Sequence, residues 1–293
     1  MPIHQLLAPE VKDLGGFIAR RSLPAPGLQM VGPFIFFDHL GPSELPAGKG
    51  IDVRPHPHIN LATVTYLFDG AFMHRDSLGT VQEIRPGAVN WMTAGQGIVH
   101  SERSPERERE QAASIHGIQT WVALPADQEE TAPWFHHYGA NEIPTWQENG
   151  VSITLIAGRL GNRSSPVKAL SPILYLDIVF EQAGAIILPA AYSEQAVYSI
   201  NEGLTVDGTA LPARQLAILE PGQAATLAAS SGRCIVIGGE PLGQRFKWWN
   251  FVSSRKDRIE QAKVDWRTNQ FATVPHEDER IPLPEQVNEA NPL

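Results

Sequence analysis

The chain of 293 residues carries 32 acidic and 23 basic residues, which gives a formal net charge of −9. Because a nucleic-acid interface needs a basic face, this balance argues against direct binding to DNA or RNA. No apolar run reaches the ~18 residues needed to span a bilayer, and no signal-peptide pattern opens the chain, so we expect a cytoplasmic protein without a membrane partner. The single cysteine, Cys234, excludes an internal disulfide framework, and its apolar surroundings indicate a buried thiol.

Short runs rich in β-branched and aromatic residues dominate the chain as far as about residue 125. They predict four strands, at Phe34–Phe37, Ala62–Phe68, Gly87–Thr93 and Ile115–Leu124. Asp69-Gly70 follows the second run and is typical of a hairpin turn. Three large apolar residues are expected to form the core of a β-barrel: Phe36, Trp91 and Met92.

A second block of short apolar runs begins at residue 151 and shows the same pattern. Its predicted strands are Val151–Ala157, Ile173–Phe180, Ala185–Leu188, Ala196–Ile200, Leu216–Leu219 and Ile235–Gly238. Asp207-Gly208 again marks a tight turn. Two β-rich blocks of similar size indicate a tandem duplication. We therefore predict an all-β protein with one domain over residues 1–137, a linker over 138–150 and a second domain over 151–293.

The C-terminal part of the chain has a helical pattern. Ser254-Arg-Lys-Asp257 is typical of a capping box. Three apolar residues after it fall on one helical face: Ile259, Ala262 and Trp266. This predicts one short C-terminal helix, and the Trp248-Trp249 pair is expected to pack that segment, with a partner surface as the alternative. Residues 275–293 show little periodicity and are expected to form a surface arm.

Two closely spaced pairs of metal-ligand residues stand out in the first block. Residues i and i+2 of a strand point to the same face, so His56-Pro-His58 presents two imidazoles together. His100-Ser-Glu102 likewise presents an imidazole and a carboxylate. If the two strands are neighbours in a barrel, the four side chains can bind one divalent metal. The alternatives are a chance histidine pair on a proline-flanked loop and, for Glu102, a surface acid opening the charged run to Glu110.

The remaining histidines are weaker candidates. Nine of the ten precede residue 138 and only His276 follows, so the second block is expected to hold no histidine metal site. His74 has two interpretations, a group beside the metal pocket or a structural hydrogen-bonding residue. Four others match no ligand pattern and are expected at the surface or at an interface: His39, His116, His136 and His137.

These motifs resemble a known family. Gly50-x5-His56-x-His58 is similar to the first cupin motif, and the stretch from Gly87 to His100-Ser-Glu102 is similar to the second, in the form found in pirins. Further matches are Pro55-His-Pro-His58, Thr63-Val-Thr-Tyr66, His74-Arg-Asp-Ser-Leu-Gly79 and Trp91-Met-Thr-Ala-Gly95. The resemblance is specific over residues 30–125 and degenerate over 150–270.

The resemblance implies two tandem cupin (double-stranded β-helix, jelly-roll) barrels, with metal in the N-terminal barrel only. The pirin ligand set of three histidines and one glutamate carries over onto His56, His58, His100 and Glu102. One departure is the stretch Ile59–Ala62, where many pirins have Arg-Gly-Phe-Glu. The acid that general cupins use from their first motif is therefore missing, which makes Glu102 the only carboxylate ligand expected.

A ligand set of three nitrogens and one oxygen suits a redox-active first-row metal, and we expect Fe(II) first, with Mn, Ni, Cu and Zn as alternatives. The resemblance implies a metal-dependent dioxygenase that uses dioxygen on a flavonol-like (quercetin-type) or other phenolic substrate. Glu102 would then also be the catalytic general base. The alternative is a regulator whose metal senses redox state and changes the binding of a protein partner. A purely structural metal is disfavoured, because structural sites are usually closed and rich in cysteine.

Overall fold

The structure is a computed structural model that describes residues 3–13 and 16–284. Antiparallel strands make up most of it, as the sequence predicts. The elements of the first half are β1 (Ile3–Leu7), β2 (Glu10–Asp13), β3 (Ile18–Leu23), β4 (Phe34–Leu45), β5 (Asp52–His58), β6 (Leu61–Asp69), β7 (Phe72–Asp76), β8 (Val81–Ile84), β9 (Val89–Thr93), β10 (Ile98–Arg103), α1 (Glu106–Glu110), β11 (Ala113–Ala123) and β12 (Trp134–Tyr138).

The second half continues with short strands and ends in one longer helix. Its elements are β13 (Thr145–Glu148), β14 (Val151–Leu160), β15 (Arg163–Ser164), β16 (Ile173–Phe180), β17 (Gly184–Leu188), β18 (Glu194–Ser199), β19 (Leu204–Val206), β20 (Thr209–Leu211), β21 (Leu216–Leu219), β22 (Ala225–Ala229), β23 (Gly232–Gly239), β24 (Phe246–Trp248), β25 (Phe251–Ser253) and α2 (Lys256–Arg267). Every predicted strand coincides with or overlaps an observed one. The all-β prediction with a short C-terminal helix is confirmed.

The chain divides into two compact units. Barrel A is built mainly from residues 37–140 and 242–284, and barrel B mainly from residues 20–36 and 141–241. The sequence interpretation placed residues 242–293 with the second domain, whereas the contacts of 242–284 are with barrel A. Residues 134–148, in and beside the proposed linker, contain the strands β12 and β13. The boundaries at 138 and 150 stay a prediction.

Barrel A consists of a seven-stranded sheet, in the order β12-β9-β6-β11-β4-β3-β2, and a four-stranded sheet, β5-β10-β7-β8. Apolar side chains from both sheets pack against each other between them, for example Leu67 of β6 and Phe72 of β7. The predicted core residues Phe36, Trp91 and Met92 are at most 4% exposed, which confirms that they are core. This two-sheet frame fixes the strands that carry the two pairs of candidate ligands.

The C-terminal segment packs on barrel A through an apolar cluster. Ile259, Ala262 and Trp266 form the buried face of α2, as predicted, and they pack with Ile59 and Val99 of the barrel. Trp248 and Trp249 join the same cluster, which confirms their packing role. Because this face is apolar and continuous with the barrel surface, it holds residues 246–274 there.

The predicted capping box is wrong. The N-cap of α2 is Arg255, and no side chain caps the helix. The Ser254 hydroxyl instead donates to Glu129 at 2.8 Å, and the Ser254 amide donates to the same carboxylate at 2.7 Å. Glu129 also pairs with Arg245 at 3.2 Å, with both side chains 3% exposed. Tertiary contacts therefore take the hydroxyl that would otherwise cap the helix.

Barrel B has an eight-stranded sheet, with the path β1-β21-β18-β23-β16-β14-β13 and β15 on β14, and a four-stranded sheet, β17-β22-β19-β20. Leu, Ile, Val and Ala side chains make up most of its core, together with Phe180 and Cys234. Asp207-Gly208 joins β19 to β20 with both residues at positive φ, which confirms the tight turn. Cys234 is fully buried, and burial raises the pKa of its thiol far above the ordinary value, so the thiol is inert.

Two local predictions for barrel A are wrong. Asp69-Gly70 does not close a hairpin, because β6 and β7 lie in different sheets and the turn carries the chain from one to the other. His39 is fully buried rather than at the surface, and its Nε2 lies 2.8 Å from Nε2 of His116.

The expected surface arm begins with residues 275–284, and its continuation lies outside the described residues. None of the helices in the described part of the chain is long and apolar enough to cross a membrane.

Candidate metal centre

Three neighbouring strands of the four-stranded sheet bring the candidate ligands together. β10 lies between β5 and β7, and His100 stands opposite His56 on one side and Asp76 on the other. Ile98 stands opposite His58, and Glu102 stands opposite His74. Since alternate residues share a face, the two histidine-bearing pairs project into the same barrel interior. The i, i+2 spacings in the sequence therefore predict the clustering of the histidines correctly.

Three imidazoles form a compact group. The ring centroids of His56 and His100 are 4.4 Å apart, those of His56 and His58 are 5.0 Å apart, and those of His58 and His100 are 5.1 Å apart. One ring nitrogen from each lies within 4.8 Å of the other two. All three side chains are buried, with exposures of 7%, 1% and 1% for His56, His58 and His100. This arrangement can hold one metal ion.

The hydrogen bonds of the rings leave nitrogen lone pairs for a metal. Nδ1–H of His56 donates to the Arg54 carbonyl at 2.9 Å, and Nδ1–H of His58 donates to the Asn250 carbonyl at 3.1 Å. Since a carbonyl only accepts, both neutral rings carry their proton on Nδ1 and keep the Nε2 lone pair free. Nε2 of His100 is buried and has no hydrogen-bond partner among the described residues. A buried nitrogen without a partner is costly, and a metal ion would satisfy it.

The electrostatics of the group favour neutral rings. Burial, followed by the neighbouring His56, holds the pKa of His58 well below its ordinary value of 6.5. Burial and then His56, His58 and His74 do the same to the pKa of His100. Burial also lowers the pKa of His56, although the Arg54 carbonyl and Glu102 act in the opposite direction. At neutral pH the rings are therefore uncharged, each with one nitrogen lone pair, as metal ligation requires.

Glu102 lies beside this group but does not belong to it. The cluster of ligand atoms within 4.8 Å of one another contains the three histidines and not the Glu102 carboxylate. Gln119 Nε2 donates to both oxygens of Glu102 at 2.8 Å, and Thr65 Oγ1 donates to Oε1 at 3.3 Å. Glu102 is 7% exposed, so it faces the interior and is not a surface acid. Its metal ligation and its role as a base stay predictions.

Gln119 is a site residue that the sequence interpretation missed. It lies on β11, the strand predicted at Ile115–Leu124, and shares a strand face with Trp121. The Trp121 ring in turn contacts the ring of His58 at 4.9 Å, edge to face. A polar residue on the strand face that also carries Ile115 and Trp121 was the available signal.

His74 lies directly behind His100. It is 4% exposed, and its Nδ1 is 3.4 Å from Nδ1 of His100. Its Nε2 is 3.1 Å from Oδ2 of Asp76, and its ring stacks on Phe135 at 4.4 Å. Burial alone would raise the pKa of Asp76, but hydrogen bonds from His74 and Thr80 outweigh it and lower that pKa. Asp76 is therefore an ionised acceptor.

The imidazoles line neither of two cavities found among the described residues of barrel A. One, of about 350 Å³, lies between the strands β5 and β10 and the segment 266–280. The other, of about 310 Å³, lies near Leu78 and Phe271. Pro55 and Val99 line the first cavity, and they point away from the face that carries His56 and His100. The first cavity therefore lies on the outer face of the histidine-bearing sheet.

A buried three-histidine group on adjacent strands of a jelly-roll barrel defines a cupin with a site that can hold a metal. Family models match residues 16–122 as pirin and residues 175–272 as the pirin C-terminal cupin domain. The chain belongs to the pirin family, and the predicted two-cupin fold is confirmed.

Relatives support the same assignment over nearly the whole chain. A pirin-like protein of Caulobacter vibrioides is 47% identical over 94% of this chain and 96% of its own length. A Pseudomonas aeruginosa protein that bears a provisional name as a quercetin 2,3-dioxygenase is 41% identical over 86% of this chain and 79% of its own. The crystal structure of a quercetin 2,3-dioxygenase from Acinetobacter baumannii matches with a TM-score of 0.88 and 33% identity, covering 97% of each chain.

Proposed function

We propose that this protein binds one divalent transition-metal ion through His56, His58, His100 and Glu102 and oxidises a phenolic substrate with dioxygen. Fe(II) is the proposed native metal, and a flavonol-like compound of the quercetin type is the proposed substrate. The observation that carries the proposal is the buried triad of imidazoles, each with its Nε2 lone pair uncommitted within the protein.

The donor set fits a redox-active first-row metal better than a structural ion. Three neutral imidazoles and one carboxylate leave coordination positions open in an octahedral site. When bound, such a metal supplies Lewis acidity toward a phenolic oxygen and redox chemistry toward dioxygen. The imidazoles can bind the metal without first losing a proton, because burial keeps His58 and His100 neutral at pH 7. The hydrogen bonds from Nδ1 of His56 to the Arg54 carbonyl and from Nδ1 of His58 to the Asn250 carbonyl fix the orientation of these two rings.

Glu102 is the proposed base for the substrate hydroxyl. Its carboxylate lies on the same strand face as His100, two residues along β10. Gln119 donates to both carboxylate oxygens, so the amide fixes the orientation of the group and leaves other lone pairs for a metal or a proton. A carboxylate held in this way can accept the hydroxyl proton as the substrate ionises. The Thr65 hydroxyl donates to Oε1 of Glu102 from the opposite sheet.

The substrate class is proposed from the relatives and is consistent with the aromatic side chain beside the histidines. The Acinetobacter baumannii structure, at 33% identity over 97% of this chain, bears the name quercetin 2,3-dioxygenase. Trp121 meets His58 edge to face at 4.9 Å, so an aromatic side chain borders the histidine group.

Oxygen consumption with quercetin and smaller phenols tests this proposal. We expect the Fe(II)-loaded protein to consume oxygen in the presence of a phenol. His100→Ala should abolish both the bound metal and the oxygen uptake, because it removes a ligand. His136→Ala is the matched control, since His136 is exposed on β12 and belongs to no ligand group. Metal-loaded wild type without turnover of any phenol would overturn the dioxygenase function, and unaltered turnover in His100→Ala would overturn the ligand assignment.

A further inference from the structure

We propose that Asp76 and His74 form a hydrogen-bonded relay that fixes His100 in the tautomer able to bind metal. The inference rests on the proposed metal site and adds two positioning residues to it. Neither Asp76 nor His74 reaches the group of three ligand nitrogens. Their effect on the metal is exerted through His100.

The relay starts from an anchored carboxylate. Oδ1 of Asp76 accepts hydrogen bonds from the backbone amides of Leu78 at 2.9 Å and Thr80 at 3.0 Å. These two bonds fix the carboxylate in the turn after β7 and leave Oδ2 to face His74 at 3.1 Å. An ionised carboxylate only accepts, so Nε2 of His74 carries the proton and donates it to Asp76.

The tautomer of His74 determines that of His100. With its proton on Nε2, His74 presents Nδ1 as the acceptor of the relay. Nδ1 of His100 lies 3.4 Å away and is the donor of the relay in that contact. The proton of neutral His100 is then on Nδ1, and Nε2 keeps its lone pair. That Nε2 is the buried atom without a protein partner, aimed at the other two imidazoles.

Packing holds the relay in place. The ring of His74 stacks on Phe135 with centroids 4.4 Å apart and planes 18° apart. The register of β7 against β10 places Asp76 opposite His100 and His74 opposite Glu102, so the His74 ring approaches His100 diagonally across the pair of strands. His56 and His58 use backbone carbonyls for the same purpose. His100 has the two-residue relay in place of a carbonyl.

Four substitutions separate the steps of the relay. His74→Phe keeps the stacked ring but removes both polar contacts. His74→Asn places an oxygen near the position of Nδ1, so it can still accept from His100. His74→Gln places its polar group near the position of Nε2 and loses that acceptor. Asp76→Asn keeps its oxygen on the two backbone amides and turns an NH2 donor toward His74, which forces the opposite tautomer on both rings.

Metal affinity gives the first readout. We expect Ni(II) affinity, measured by competition with a chelator, to fall about 10- to 100-fold in His74→Phe, His74→Gln and Asp76→Asn, the usual effect of losing a hydrogen-bond partner of a ligand. His74→Asn should recover most of the affinity, and the control His136→Phe should match wild type. Equal affinity in wild type, His74→Phe and Asp76→Asn would overturn the relay. Circular dichroism shows that each variant is folded before it is scored.

The second readout needs no metal and separates the relay from the proposed function. Nitrogen-15 NMR of histidine side chains in the metal-free protein reports which ring nitrogen is protonated. We expect His100 protonated on Nδ1 in wild type and on Nε2 in Asp76→Asn. A wild-type His100 protonated on Nε2 would overturn the relay even if metal binds. A wild type that binds no Ni(II) but shows the expected tautomer would overturn the metal site and leave the relay standing.

Discussion

Acidification should destabilise barrel A of the metal-free protein in a defined pH range. Burial holds the pKa of His58 and of His100 well below 6.5, the ordinary value that applies once the chain unfolds. The unfolded chain therefore binds protons that the folded barrel excludes. Stability from these groups is complete above pH 6.5 and is lost progressively as the pH falls below it.

The size of the effect follows from proton linkage. One pH unit below 6.5, each excluded proton costs about 1.4 kcal/mol, so two such histidines lower the free energy of unfolding by roughly 2–3 kcal/mol between pH 7.5 and 5.5. The carboxylates contribute little in this window, because those with shifted values, such as Asp52 and Asp76, have pKa values below 3.8.

Urea unfolding followed by tryptophan fluorescence measures the effect. Six of the seven tryptophans belong to barrel A, and Trp146 is the exception. We expect the urea midpoint to fall on going from pH 7.5 to 5.5, and the His58→Gln/His100→Gln double variant to show a much smaller change. A midpoint of the wild type that is the same at both pH values would refute the argument.

Two further predictions concern single carboxylates. Glu102→Gln keeps an oxygen donor but loses basicity, so metal affinity measured by chelator competition should fall moderately while turnover of a phenol falls by about 10²-fold or more; near-normal turnover would show that Glu102 is not the base. Glu129→Ala leaves the buried Arg245 guanidinium without its carboxylate partner, and urea unfolding should show that the free energy of unfolding falls by about 3–5 kcal/mol. The neighbouring Glu130→Ala is its control, because the Glu130 carboxylate that pairs with Arg258 is 45% exposed and its loss should cost at most about 1 kcal/mol; equal losses would contradict the assigned role of Glu129.

Local patterns predicted most of the fold and the clustering of His56, His58 and His100. The i, i+2 spacing of His56 with His58 places both on one strand face wherever the strand lies. The strand positions followed from short apolar runs between turns, because side-chain period and turn chemistry are local properties. Asp207-Gly208 closes a hairpin for the same reason.

The remaining features depend on contacts that are distant in sequence. The Asn250 carbonyl anchors His58 across 192 positions, and Glu129 takes the Ser254 hydroxyl that the sequence assigned to a helix cap. Asp69-Gly70 is locally a hairpin signal, but pairing with other strands sends its two flanking strands into different sheets. Gln119 reaches Glu102 only because β11 and β10 lie in opposing sheets of the same barrel. Such partners follow from topology and not from a local pattern.

Metal stoichiometry, determined by elemental analysis of protein reconstituted with Fe(II) or Ni(II), tests the central claim most directly. The three-histidine site predicts one metal per chain in the wild type and in the His136→Ala control. His58→Ala should hold close to none while keeping its fold, because the core of barrel A is apolar. Barrel B should hold none, since its core is mostly aliphatic and no histidine lies between His137 and His276. No bound metal in the wild type, or full occupancy in His58→Ala, would contradict the account.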